Sequence, residues 1–97
     1  MKNKSIITDR MDRCLICHTY LNIEIHHCIY GVANRKLSDK YGLVVPLCNM
    51  HHRGTNGVHG KNGHKLDIKL KQLSQQAWEY QIGTREEFIQ TFGKSYL

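Results

Sequence analysis

Two pairs of metal-ligand side chains, Cys14-Leu15-Ile16-Cys17 and Cys48-Asn49-Met50-His51, share one spacing and lie about thirty residues apart. Two residues between ligands let both side chains reach one ion while the intervening amides turn toward it. Three thiolates and an imidazole make a closed tetrahedral zinc site of the structural kind. The first pair alone is also the spacing of thioredoxin-type redox proteins, which need a helix directly after it. Here Asn22-Ile23-Glu24-Ile25 follows and reads as a strand. Cys28 reads as a small buried hydrophobe, the alternative being that it displaces His51 as fourth ligand.

A staple of this kind suits the chain. Its 97 residues make one domain with a modest buried fraction, and only 40% of them are hydrophobic. Four cysteines could instead form two disulfides. However, Met1–Arg10 has no apolar core of signal-peptide length, so a cytoplasmic, reducing setting and free thiolates are expected. No run reaches membrane-spanning length. Lys and Arg total 14 against 8 acidic residues, a formal charge of +6 with pI about 9.3. That bias points to a polyanion, and nucleic acid is the natural one.

Along the chain, residues 1–13 read as a loose or weakly helical basic arm in which Arg10 and Arg13 are solvated. Leu21 to Tyr30 alternates like the first strand of a hairpin. Residues 31–42 read as a polar connection, and Gly42–Leu47 as the second strand with Pro46 near its end. A short helix or turn follows at Cys48–Arg53. Residues 54–64 hold four glycines and read as a loop with little intrinsic structure. Leu66, Leu70, Leu73, Ala77 and Tyr80 recur at helical spacing, a face expected to pack on the hairpin, and Gly83 ends it. Thr84-Arg85-Glu86-Glu87 is a capping-box start, Phe88, Ile89 and Phe92 give the helix its apolar edge, and Gly93 sits at its end. The expectation is a single α+β domain: the arm at 1–13, a zinc-stapled core at 14–60, and two C-terminal helices within 65–93.

Once the zinc is satisfied, His26, His27, His52 and His59 are left over, three of them adjacent to the zinc framework. Zinc closure would bring His52 to the His26/His27 pair. Two imidazoles can hold a divalent ion with positions open to water or phosphate. A third, free of metal, can take a proton from water. Those are the parts needed to hydrolyse a phosphodiester.

With these residues, roughly half of the chain, from Cys14 to about His59, resembles the HNH endonuclease family. The fold implied is a hairpin and a helix around one metal (ββα-metal). The His26-His27 pair is similar to that of the bacteriocin-type nucleases, and Leu43-Val44-Val45-Pro46-Leu47-Cys48 to the strand leading into the metal-bearing helix. The whole chain looks like small phage- or prophage-encoded members. The resemblance implies His26 and His52 as ligands of a catalytic divalent metal (Mg²⁺, Mn²⁺, Zn²⁺ or Ni²⁺) and His27 as general base. His59 is either a further ligand or phosphate contact, or a plain loop residue. The family's middle asparagine falls near Leu43, which cannot steady a base. Asn34 and Asp39 are the candidates to replace it. A second cysteine is usual where His51 stands, and a Cys₃His zinc site serves equally.

The expected activity is metal-dependent DNA cleavage leaving 5′-phosphate and 3′-hydroxyl ends, with weak sequence preference and strong salt sensitivity. Double-stranded DNA is the expected partner, and a homodimer is the arrangement that would cut both strands. Arg35, Lys36, Arg53 and Lys61 lie on the segments nearest the site and are the cations expected at phosphates; His18 and His64 are read as spectators. The competing readings are a non-catalytic zinc-stapled nucleic-acid adaptor and a protein scaffold built on the C-terminal helices.

Overall fold

A computed structural model describes residues 4–97. The order is β1 (Ile23–His27), α1 (Asn34–Tyr41), β2 (Val44–Cys48), α2 (Asn49–Arg53), α3 (His64–Gln81) and α4 (Arg85–Phe92). The described residues thus form a small α+β fold with one two-stranded antiparallel sheet and four helices. No helix among the described residues is long and apolar enough to cross a membrane.

The register sets Ile23 opposite Cys48, His26 opposite Val45 and His27 opposite Val44. Pro46 stands not near the end of β2 but at its centre, opposite Ile25. Both strands of a two-stranded sheet are edges, where a missing N–H is tolerated, and the Pro46 carbonyl accepts from Leu15 N–H at 2.8 Å. The alternation of side chains along β1 sends Glu24 and His26 to one face and His27 to the other.

Residues 31–42 do not form the simple connection expected from sequence. They contain α1, whose only buried residue is Ser38. Ser38 fixes this helix to the end of the hairpin: its hydroxyl donates to the Ile29 carbonyl and accepts from the Ile29 N–H. The helix stops at Gly42, in the left-handed region at φ 76°, where its N–H closes on Ser38 O. Asn34 Nδ2 donates to Phe92 O at 3.1 Å, so the first turn of α1 is bound to the end of α4.

Of the arm, residues 1–3 lie outside the described residues. Residues 4–13 form turns, not a helix, and they are not loose. Ile6 N–H donates to Gly42 O at 2.9 Å, and Gln81 Nε2 donates to Ile6 O at 3.0 Å. Ile6 and Ile7 each pack on a different apolar cluster.

Those two clusters divide the interior. One gathers Cys14, Cys28, Val45, Leu47, Cys48, Val58 and Leu70 beneath the sheet. The other gathers Ile29, Leu43, Trp78, Phe88 and Phe92 between the hairpin end and the C-terminal helices. Helix α3 spans both, through Leu70 and Trp78. Its fully buried residues are Asp67, Leu70, Ser74, Gln75 and Trp78. Of the apolar stripe read in the sequence, Leu70 is buried and Leu66 and Leu73 pack on the cluster that holds Val45 and Leu47, while Tyr80 is 90% exposed. Ser74 and Gln75 tolerate burial because they are bonded, and Asp67 is bonded through Oδ2 alone. Ser74 Oγ donates to Leu70 O at 2.9 Å, and Gln75 Oε1 accepts from Tyr96 N–H at 2.7 Å. The capping box at Thr84 and the left-handed Gly93 are as expected.

The glycine-rich segment is ordered too. Gly57, Gly60 and Gly63 each donate to the carbonyl three residues back, giving stacked turns. A Cβ on Gly60 would lie 1.8 Å from Gly54 O, so only glycine permits the stack to close.

Candidate metal centres

The five residues of α2 join two ligand clusters. Successive helical side chains point about 100° apart, so His51 and His52 serve different neighbours. His51 joins Cys14, Cys17 and Cys48, all four donor atoms within 4.8 Å of one another. His51 Nδ1 lies 3.2 Å from Cys48 Sγ and 3.7 Å from Cys14 Sγ, and Cys17 Sγ lies 3.8 Å from Cys48 Sγ. A tetrahedral zinc with bonds of about 2.3 Å to sulfur separates two sulfurs by about 3.8 Å. The quartet is therefore spaced to hold a metal ion of that kind, compatible with a structural site.

The knuckle around Cys14 prepares the thiolate. Cys14 O accepts from His18 N–H at 3.0 Å, and Ile16 N–H points at Cys14 Sγ at 3.4 Å. Burial pushes the Cys14 thiol up, but backbone donors, those of Cys17 and Cys48 foremost, outweigh it and bring it to about 6. Cys28 behaves oppositely. It is wholly buried outside the quartet, and burial raises its thiol to about 12. It does not displace His51.

His52 turns the other way, to His26 and His59. The donor atoms of these three imidazoles also lie within 4.8 Å of one another. Their ring centroids are 5.2 Å apart for His26–His52 and His26–His59, and 4.9 Å for His52–His59. Each arrives by a different route: His26 from the alternation of β1, His52 from α2, His59 from the glycine stack. A His59 N–H to His52 O bond of 3.0 Å holds the last two together. His59, on the glycine stack, thus lies beside His26 and His52 with its donor atom within reach of a shared ion.

Three features suit this trio to a cation. Among the described residues His26 Nε2 is buried with no hydrogen-bond partner, a state that costs about 1–3 kcal/mol unless something binds it. Burial first, then the neighbouring His52, pulls the His26 imidazole down to about 3, so it stays neutral and able to donate its lone pair. Burial also lowers His59. Finally, Glu24 Oε1 lies 2.6 Å from His52 Nδ1, a carboxylate–histidine contact that leaves His52 Nε2 free to bind a metal. The same Oε1 accepts from Arg53 Nε at 3.0 Å. The His52 bond holds Glu24 below the usual carboxylate range.

His27 stands at the junction of two open clefts. One, of about 260 Å³, includes His26, His27, Tyr30, Arg35, His52, Arg53 and His59. The other, of about 730 Å³, runs from His27 past Gly31 and Val32 to Arg35, Lys36 and Asp39. Three of the four cations expected at phosphates line these clefts. Lys61 is exposed on the glycine stack and lines neither cleft. His18 and His64 are exposed and belong to neither cluster.

Sequence reading missed the support residues. Glu24 was legible in principle, two positions before His26 on the same strand face. Tyr30, Asp67 and Lys71 were not assigned at all. Tyr30 Oη donates to Asp67 Oδ2 at 2.9 Å, and Lys71 Nζ lies 3.1 Å from the same oxygen. The Tyr30 ring sits 5.4 Å from that of His59 and so walls the trio. The i,i+4 spacing of Asp67 and Lys71 was the available signal.

Comparison of the chain with family profiles, curated proteins and solved structures returned no match.

Proposed function

We propose that this chain is a metal-dependent DNA endonuclease of ββα-metal type, in which β1, β2 and α2 present the site. The observation that carries the reading is the convergence of His26, His52 and His59 on one point beside an unused histidine, His27, in a cleft edged by cations. A protein that only binds nucleic acid has no need of that second cluster. The Cys14, Cys17, Cys48 and His51 quartet is assigned to structural zinc. Bound at the trio, a divalent ion would supply Lewis-acid stabilisation of the charge that builds on the phosphate and the leaving oxygen.

The protein's own groups do the rest. Arg35, Lys36 and Arg53 draw the phosphodiester backbone into the cleft by charge, which makes binding sequence-tolerant and salt-sensitive. Glu24 keeps Arg53 in place and His52 in one tautomer. His27 takes the proton of the attacking water, and the bond to the leaving 3′ oxygen breaks on the opposite side of the phosphorus. The products are 5′-phosphate and 3′-hydroxyl ends.

The test is plasmid cleavage with Mg²⁺, Mn²⁺, Zn²⁺ or Ni²⁺ supplied in turn. Wild type should nick, and His27→Ala should lose about 10²–10⁴-fold in rate, the usual worth of a general base, while keeping its zinc and its DNA binding. Undiminished cutting by His27→Ala removes the base assignment. Salt-sensitive DNA binding by wild type, with no cleavage under any of the metals, would identify an adaptor instead.

A further inference from the structure

We propose that Tyr30 is a positioning residue for His59, turning that imidazole toward the shared ion, and that the tail at residues 93–97 holds Tyr30 in place through Lys71. The proposal rests on the trio being a metal centre. It does not require that the centre cut DNA.

His59 needs such a support. His26 is carried by a strand and His52 by a helix, with Glu24 on its Nδ1, whereas His59 stands exposed on the glycine stack. Among the described residues three rings lie beside it: His52 at 4.9 Å, His26 at 5.2 Å and Tyr30 at 5.4 Å between centroids. The first two are fellow donors, so Tyr30 is the neighbouring ring with no ion to bind. Its plane meets that of His59 at 66°, the edge-to-face contact that aromatic pairs favour.

Tyr30 is itself held at its tip and on its face. Its Oη donates to Asp67 Oδ2 at 2.9 Å, and Lys71 Nζ lies over the ring, 4.5 Å from the centroid. Lys71 Nζ is also 3.1 Å from Asp67 Oδ2 and 5.5 Å from the centre of the Tyr96 ring. Three bonds dock the tail on α3. Gln72 Nε2 donates to Tyr96 O at 3.1 Å, Tyr96 N–H to Gln75 Oε1 at 2.7 Å, and Gln75 Nε2 to Ser95 Oγ at 2.9 Å. A continuous line of contacts thus runs from Tyr96 through Lys71 and Tyr30 to His59.

The Asp67–Lys71 pair is ill suited to stability alone. With side chains 10% and 15% exposed, both charges have given up most of their hydration. Asp67 Oδ1 is moreover buried with no partner among the described residues, which is costly for a carboxylate. What the pair achieves is to fix the Tyr30 hydroxyl and to set an ammonium on the ring above it. Local rules broken in this way are characteristic of groups that serve a site.

The experiment uses protein whose Cys/His quartet is loaded with zinc, with Co²⁺ as the probe of the trio. Tyr30→Leu, close in bulk but without ring or hydroxyl, should weaken Co²⁺ binding by about 10–100-fold and alter the cobalt d–d band. Tyr30→Phe, which keeps the ring, should recover much of the loss. Tyr96→Leu, which touches no member of the trio, should weaken binding in the same direction and by less. Before Co²⁺ is added, nuclear Overhauser contacts between the His59 and His52 rings should be strong in wild type and reduced in Tyr30→Leu. Wild-type affinity and band in Tyr30→Leu overturn the proposal, as do undiminished ring contacts. An equal loss of affinity in Thr84→Ala, remote from the trio, would overturn it too, since general destabilisation would then suffice. Wild-type affinity in Tyr96→Leu removes the tail from the line. If wild type takes up no second ion, the metal reading of the trio fails, and the ring contacts still decide whether Tyr30 holds His59.

Discussion

At the scale of single residues, His26 carries the sharpest consequence. Its folded imidazole ionises at about 3, below the ordinary histidine value of 6.5, so between those values the unfolded chain binds more protons than the folded one. The stability it contributes is present above the unfolded value and is lost as pH falls toward the folded one. The slope is about 1.4 kcal/mol per pH unit at most. Urea unfolding of zinc-loaded protein from about pH 6.5 to 5 should show this loss, and His26→Leu should flatten it. Equal slopes in the two proteins would mean His26 is not the group responsible. Ligand identities were legible in the sequence because thiol and imidazole spacing is a local property. The contacts of Glu24 with His52 and of Asp39 with His27 were not, since each joins segments brought together only by the hairpin and α1.

Elements tell a similar story. The two strands, the long helix and the Thr84 capping box could all be read, because each has local periodicity or a capping signature. Helix α1 could not, since only Ser38 of its eight residues is buried and its apolar face is just Leu37 and Tyr41 in an otherwise polar run. The apolar part of the α3 face, Leu66, Leu70 and Leu73, could be read; the burial of Asp67, Ser74 and Gln75 beside it could not, since it goes with hydrogen bonds that the sequence does not display.

The glycine stack, whose composition predicts a loop with little intrinsic structure, delivers His59. Substituting Gly60→Ala places a methyl against Gly54 O and should cost more than about 1 kcal/mol. It should also weaken divalent-ion binding at the trio by at least about tenfold while leaving the Cys/His quartet loaded. Isothermal titration on zinc-loaded protein checks this, and wild-type affinity would show that the stack does not position His59. Thr84→Ala, remote from both clusters, should cost about 1 kcal/mol in denaturant unfolding and leave metal binding unchanged.

For the whole molecule, the quartet ties the Cys14–Cys17 knuckle to the junction of β2 and α2, and that junction also sets His52. An ion held by the quartet would therefore support fold and trio together. Cys17→Ala should lose the cooperative thermal transition, because the binding energy of a structural metal is folding energy. A metal-free variant melting like wild type would remove the staple. The measurement that bears most directly on the two-centre architecture is metal stoichiometry by native mass spectrometry, read beside cleavage on the same samples. Wild type should carry two ions per chain and cut DNA. His52→Ala, lacking one donor of the trio, should carry one ion, remain folded and not cut. A wild type that holds a single ion at saturating metal, or a His52→Ala protein that cuts at the wild-type rate, would contradict the second centre.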